Sequence, residues 1–175
     1  YGADKIVMAM GPATDEGFYF DFEQKDINVS ENNFAEIEAK MAELIKQGLV
    51  FERVEVSPEV ARQIFAQNPY KQEWIQEAQD RQEPVSIYIT ASQKHLEKAK
   101  KIIQNGQLPD LKKDFIFADL CKGPHVRSTA EIKAFKLLSL AGAYWRGDEN
   151  NQMLMRIYGT AFENQAELDK YLHLI

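Results

Sequence analysis

The densest run of reactive side chains is Asp119-Leu120-Cys121-Lys122-Gly123-Pro124-His125. A thiol and an imidazole four residues apart suit a soft metal ion, but zinc takes four ligands, or three and a water. The chain has one cysteine and three histidines, and His95 and His173 both fall in amphipathic helix patterns. No metal site is therefore expected from these residues. Two other chemistries fit the same spacing. His125 can activate Cys121 as a nucleophile, with Lys122 favouring the thiolate. Alternatively, Asp119, Cys121 and His125 line a pocket and orient a water or a substrate. A buried cysteine beside a histidine on a surface turn fits equally well. Asp119 and Cys121 lie two apart on an apolar strand pattern, so they share a side. A Gly-Pro turn that returns His125 would complete a three-residue polar face.

Other positions offer softer chemistry. Lys71 follows Pro69-Tyr70 at a helix end, where it is either a phosphate or carboxylate contact or, more simply, a solvated lysine. Tyr19 and Asp21 occupy the polar side of an aromatic strand and face either a cleft or solvent. Trp145-Arg146-Gly147-Asp148 has the make-up of a stacking and phosphate-binding surface, or of an ordinary turn.

Local patterns define the elements that must carry these residues. Lys5–Pro12 and Gly17–Glu23 read as two strands joined at Ala13–Glu16, with Phe18, Phe20 and Phe22 on one face. Asn33 and Glu36 form a capping-box pattern ahead of Phe34, Ile37, Met41, Leu44 and Ile45, and Gly48 closes that helix. Val50–Val56 alternates as a strand. Ser57-Pro58 opens a helix that ends before Asn68-Pro69. Tyr70–Asp80 fits strand or helix. Val85–Ile89 is a strand, Ser92 caps a Lys-rich helix ending at Asn105-Gly106, and Phe115–Cys121 is a strand leading into a tight turn. Ala134–Trp145 and Met153–Phe162 read as a hairpin, and Asn164 with Glu167 opens a last helix. Strands and helices mix without strict alternation, so the fold class is α+β with a mixed or antiparallel sheet packed on helices.

Composition narrows the function classes. The chain has 175 residues and a net charge of −6, with ten Phe and seven Tyr, which excludes compositional disorder. No run of roughly 18 apolar residues exists, so no membrane partner is expected. A single cysteine suits a reducing, cytoplasmic setting. The charge is uneven. Residues 1–90 carry 17 acids against 8 bases, whereas 94–136 carry 10 bases against 5 acids. A locally basic stretch serves phosphates or is a solvated helix face.

In chain order, Met10-Gly-Pro12, Gly17-Phe-Tyr-Phe-Asp21, Pro69-Tyr-Lys71, Asp119–His125, Phe135-Lys-Leu-Leu138, Ala141-Gly-Ala-Tyr-Trp-Arg-Gly-Asp148 and Met155-Arg-Ile-Tyr-Gly-Thr-Ala161 resemble the editing (second additional) domain of bacterial-type threonyl-tRNA synthetase. The Cys-x-x-x-His block is shared with alanyl-tRNA synthetase editing domains and free-standing alanyl-editing proteins. The resemblance implies a hydrolase that removes serine mischarged onto tRNA(Thr). Lys71, Asp119, Cys121 and His125 would be its catalytic residues, and Tyr19, Phe20, Tyr70, Gly123 and Pro124 its substrate contacts. Lys122, Arg127, Lys133, Lys136 and Arg146 would face nucleic acid. No cofactor is implied here, whereas ATP and zinc are expected in the parent enzyme's catalytic domain. The implied partners are the tRNA(Thr) 3′ end, the rest of the synthetase chain and a second copy of the parent enzyme.

The resemblance divides the chain into an editing domain, residues 1–162, and a connector start, 163–175, with 92–113 as an insertion. The family's pocket also uses a His-x-x-x-His helix, absent here and expected upstream of Tyr1, so the fragment alone is expected to be weakly active or inactive. The family often has Tyr where Phe20 stands, which removes a hydroxyl. The alternatives are a degenerate module that only positions tRNA, or a free-standing trans-editing protein.

Overall fold

The computed structural model describes residues 5–109 and 116–175. Tyr1, Phe115 and the end of the 92–113 segment lie outside them. The chain divides into two compact units, Tyr1–Ala42 with Ile132–Ile175, and Glu43–Glu131. Among the described residues, five α-helices and two antiparallel sheets make the fold α+β, as expected.

The first unit is built on strands β1 (Ile6–Met10), β2 (Ala13–Thr14), β3 (Gly17–Gln24), β7 (Ala134–Tyr144) and β8 (Met153–Phe162). Their order is β1-β3-β8-β7, with β2 added to β3. The long hairpin β7–β8 runs from Ala134↔Phe162 to Tyr144↔Met153, with a bulge between Leu137 and Ser139. β7 is an edge strand, and carboxylates occupy part of that edge. Glu38 accepts the Leu137 N–H at 2.9 Å and pairs with Lys136 at 2.9 Å, and Glu31 accepts the Leu140 N–H at 3.2 Å. Paired edge donors cannot recruit another strand.

Glu38 lies on α1 (Phe34–Lys46), and the boundary between the units falls within this helix. The cap of α1 differs from expectation. Ser30 donates its N–H to Asn33 Oδ1 at 2.9 Å, so Asn33 closes a turn that starts three residues earlier instead of opening one with Glu36. After β8, Asn164 Oδ1 accepts the Glu167 N–H and starts α5 (Gln165–Leu172), which buries Leu168 and sets the Tyr171 ring at a tilt against Phe162, centroids 5.3 Å apart.

The second unit is a three-stranded sheet of β4 (Val50–Val56), β5 (Val85–Ala91) and β6 (Ile116–Leu120), ordered β4-β5-β6. Its helices are α2 (Pro58–Ile64), α3 (Pro69–Asp80) and α4 (Leu96–Gln104). Alternation puts Val54, Val85, Ile87, Ile89, Ala91 and Ala118 on one face. Ala61, Ile64, Ile75, Leu96, Ala99 and Ile103 of the helices cover that face. The segment that fitted strand or helix is α3: Asn68 Oδ1 accepts the Lys71 N–H at 3.1 Å and Pro69 takes the first helical position. The 92–113 segment supplies core, because Leu96, Ala99 and Ile103 of α4 are buried.

Candidate functional site

The central strand β5 has two unlike faces. Val85, Ile87 and Ile89 point into the core, so Ser86, Tyr88 and Thr90 point to the other side. On β6, Asp119 lies directly opposite Tyr88. Ser86 extends the pairing beyond the strand end: its C=O accepts the Cys121 N–H at 3.2 Å and its hydroxyl donates to the Cys121 C=O at 2.6 Å. The backbone of Cys121 is thereby fixed from both sides.

The sequence-predicted residues form two couples. The first is Lys71 with Asp119, Nζ to Oδ1 at 2.7 Å. Lys71 is not a solvated lysine: its side chain is 4% exposed and it sits in the first turn of α3, because the Asn68 cap fixes the helix start. Asp119 Oδ1 also accepts the Leu120 N–H at 2.8 Å. Burial pushes the Asp119 carboxyl above its usual range, and the Lys71 ammonium opposes that shift.

The second couple is Cys121 with His125, Sγ to Nε2 at 3.1 Å. The bend between them uses Gly123 at φ +80° and a cis Gly123–Pro124 peptide, and the Gly123 N–H donates to Cys121 Sγ at 3.3 Å. A Cβ on Gly123 would lie 2.1 Å from Tyr88 Oη, so only glycine admits this approach. The His125 ring stacks on Tyr88, with centroids 4.1 Å apart, and lies 5.1 Å from Phe51. Desolvation holds the His125 pKa below its ordinary value. A neutral imidazole beside a thiol can accept or pass a proton without first losing one. The three-residue face inferred from sequence is thus divided: His125 does return to Cys121, but Asp119 is bound to Lys71.

Tyr88 was not anticipated, although the Val-Ser-Ile-Tyr-Ile-Thr alternation of 85–90 carried the signal. The other candidates distribute as follows. Tyr70 is buried, and Pro124 is exposed beside Gly123. Tyr19 and Phe20 lie on β3 of the first unit. Phe20 packs on Gly11, where a Cβ would be 2.1 Å from the ring. Tyr19 lines a cavity of about 430 Å³ with Gly17, Tyr158, Gly159 and Tyr171.

The five basic candidates do not share one element. Lys122 pairs with Glu83 and Lys136 with Glu38. Arg127 and Lys133 are exposed, and Arg146 is exposed over the Trp145 ring. Among the described residues, no group of three or more His, Cys, Asp or Glu is arranged to hold a metal ion. No described helix is long and apolar enough to cross a membrane.

Residues 101–158 match the family described as the threonyl and alanyl tRNA synthetase second additional domain. The chain is 40% identical over 175 residues to a threonine–tRNA ligase of Thermotoga maritima, covering 100% of this chain and 23% of that protein. It is 42% identical over 168 residues to one from Dehalococcoides mccartyi, covering 96% of this chain and 24% of the relative. A third such ligase, from Petrotoga mobilis, is 40% identical over 175 residues, again 100% of this chain and 23% of the relative. The chain spans about a quarter of the length of these relatives.

Proposed function

Because the chain belongs to the threonyl and alanyl tRNA synthetase second-additional-domain family and is homologous over its whole length to threonine–tRNA ligases, we propose that it is an editing domain that hydrolyses seryl-tRNA(Thr). In this reading it works within a longer, dimeric, cytoplasmic synthetase and receives the 3′ end of the tRNA.

The reasoning starts from selectivity. A pocket that accepts threonine gains only about 1–3 kcal/mol against serine from one methyl group, too little for translation, so a second site must remove the smaller product. The reaction adds water to the ester carbonyl and breaks the bond to the ribose oxygen. The ribose oxygen leaves with a proton, giving free serine and an intact tRNA terminus. No covalent enzyme intermediate is required.

The observation that carries the reading is two couples anchored at the end of β6: Asp119 with Lys71 of α3 at 2.7 Å, and Cys121 with His125 at 3.1 Å. Lys71, oriented by Asp119, stabilises negative charge developing at the carbonyl or the ribose oxygen. Asp119 also holds the serine amine or hydroxyl. Neutral His125 and Cys121 shape the pocket and bias the attacking water. Gly123, with no side chain, lets Tyr88 close on the bend that carries His125.

The test gives the full-length enzyme tRNA(Thr) charged with serine or with threonine. Lys71→Ala, Asp119→Ala and His125→Ala are expected to slow serine release by at least tenfold while threonine charging is kept. Unchanged serine release in all three would overturn the proposed roles. Retained tRNA binding without any deacylation by the unaltered enzyme would favour a module that only positions tRNA.

A further inference from the structure

The segment that carries His125 crosses the open face of the sheet in the second unit, and it is pinned at both ends. At the β6 end, the Cys121 N–H donates to the Ser86 C=O at 3.2 Å. At the far end, on the outer edge of β4, the Phe51 N–H donates to the Arg127 C=O at 3.2 Å and Ser128 bridges to Val50. Glu131 steadies that end by accepting the Arg127 and Ser128 N–H groups at 2.9 and 3.1 Å. With the strands ordered β4-β5-β6, residues 121–128 pass from β6 over β5 to β4. All of these residues belong to the second unit.

Between its two ends the segment meets a pair of aromatic rings. Val54, Ile87 and Ile89 face the core, so Phe51 of β4 and Tyr88 of β5 lie on the other face. Phe51 is opposite Thr90 and Arg53 is opposite Tyr88, which makes Phe51 and Tyr88 diagonal neighbours within reach of one another. The His125 ring lies on Tyr88 with centroids 4.1 Å apart and planes at 28°, and stands 5.1 Å from Phe51 at 36°. In that pose its Nε2 is 3.1 Å from Cys121 Sγ. Tyr88 also sets how closely the segment approaches the sheet, since its hydroxyl would lie 2.1 Å from a Cβ on Gly123. One contact to a thiol fixes an imidazole poorly. Two ring surfaces beneath it remove the side-chain freedom that this contact leaves.

We propose that Tyr88, with Phe51 beside it, is a positioning residue: the two rings form a seat that aims His125 at Cys121 and at the attacking water. This deepens the editing reading, in which His125 biases that water, and rests on it. The seat itself touches no reacting atom. The charged groups of this sheet face and of the bend are occupied elsewhere: Asp119 with Lys71, Arg53 with Glu55, Lys122 with Glu83, and Glu131 with the backbone of the segment, while Arg127 is exposed. The titratable groups that touch the ring are the Cys121 thiol and the Tyr88 phenol. Exclusion of water by the seat is therefore what favours the neutral imidazole.

The full-length enzyme is given seryl-tRNA(Thr) from about pH 5 to about pH 8.5, with threonine charging as the control for folding. Tyr88→Leu removes the ring on the face away from the core. Its kcat for serine release is expected to fall about tenfold or more, with KM within about twofold. The acid limb of kcat should also move to higher pH, because a rehydrated imidazole takes up its proton sooner as pH falls. Tyr88→Phe keeps the ring without the hydroxyl and should restore both rate and limb. Phe51→Leu should move the limb the same way but less, since its ring is the more distant one. An acid limb that stays in place in Tyr88→Leu, or a Tyr88→Phe enzyme as slow as Tyr88→Leu, would overturn the seat. An unaltered enzyme that releases no serine would instead overturn the editing reading. The His125 Hε1 resonance of the full-length enzyme, assigned by its loss in His125→Gln, then decides the seat by itself: a midpoint raised in Tyr88→Leu but not in Tyr88→Phe supports it, and an unmoved midpoint overturns it.

Discussion

The Lys71 ammonium lies 2.7 Å from the Asp119 carboxylate, with the two side chains 4% and 18% exposed. Removing one partner of such a pair strands the other charge out of water, at a cost of about 3–5 kcal/mol. Lys71→Met is therefore expected to lower the urea midpoint strongly at pH 7.5, and Lys71→Met with Asp119→Leu to recover most of the loss. The pH dependence has a definite sign. Burial raises the folded-state pKa of Asp119, so its contribution to stability is complete at acid pH and is lost as pH rises through the folded value. Lys71→Met removes the opposing ammonium, so its penalty should shrink when unfolding is repeated near pH 5. An equal penalty at both pH values would show that Asp119 is not the group left stranded.

His125 titrates in the other direction. Stacked on Tyr88 and near Phe51, it loses hydration and its pKa falls below the ordinary 6.5. A lowered value means that the neutral ring stabilises the fold above the unfolded pKa, and that this stability is lost as pH drops through the folded one. The Hε1 resonance of His125 is expected to show a midpoint below 6.5. In Tyr88→Ala the ring is rehydrated and the midpoint should move back up. A midpoint at or above 6.5 in the unaltered protein would contradict the stacked geometry.

Two glycines with left-handed backbone separate strain from crowding. Gly147 has φ +71° and open space within 4 Å of where a methyl group would stand, whereas at Gly123, with φ +80°, that methyl would meet Tyr88 Oη at 2.1 Å. Gly147→Ala is expected to cost about 1–2 kcal/mol, the conformational penalty alone. Gly123→Ala should cost more, displace Tyr88 and disturb the His125 stack. Thermal unfolding compares the two costs, and the His125 resonance reports the stack. Equal losses would mean that Tyr88 yields freely.

Much of this fold was legible because its signals are local. Ser57-Pro58, Gly48 and the Val50–Val56 alternation each specify their element from neighbouring residues, and the structure places them where the pattern does. The α3 segment was ambiguous because Tyr70, Trp74 and Ile75 make a sparse apolar stripe, and its start depends on the Asn68 cap. The burial of Lys71 was illegible for a different reason: its partner, Asp119, is on a strand far along the chain. The Cys121–His125 contact was readable from spacing, whereas the Tyr88 stack and the Asp21–Arg156 ion pair across β3 and β8 need strand register, which no short window contains.

Thr129 shows the same non-local logic and provides a last test. Its hydroxyl accepts the Leu49 N–H at 3.0 Å and donates to the Leu44 C=O at 3.0 Å, and the residue is 7% exposed. Its own N–H donates to the Leu49 C=O at 2.8 Å, so this residue, just past the Cys121–His125 bend, ties down the end of α1 and the approach to β4. Thr129→Val keeps the shape but removes the hydroxyl, leaving a buried N–H without a partner. The expected loss is about 1–3 kcal/mol. Thr129→Ser retains the hydroxyl and should lose less, chiefly the methyl packing. Amide exchange at Leu49 reads the bond directly: faster exchange is expected in the valine variant and near-native protection in the serine one. Equal protection in both would mean that the Thr129 hydroxyl does not hold this junction.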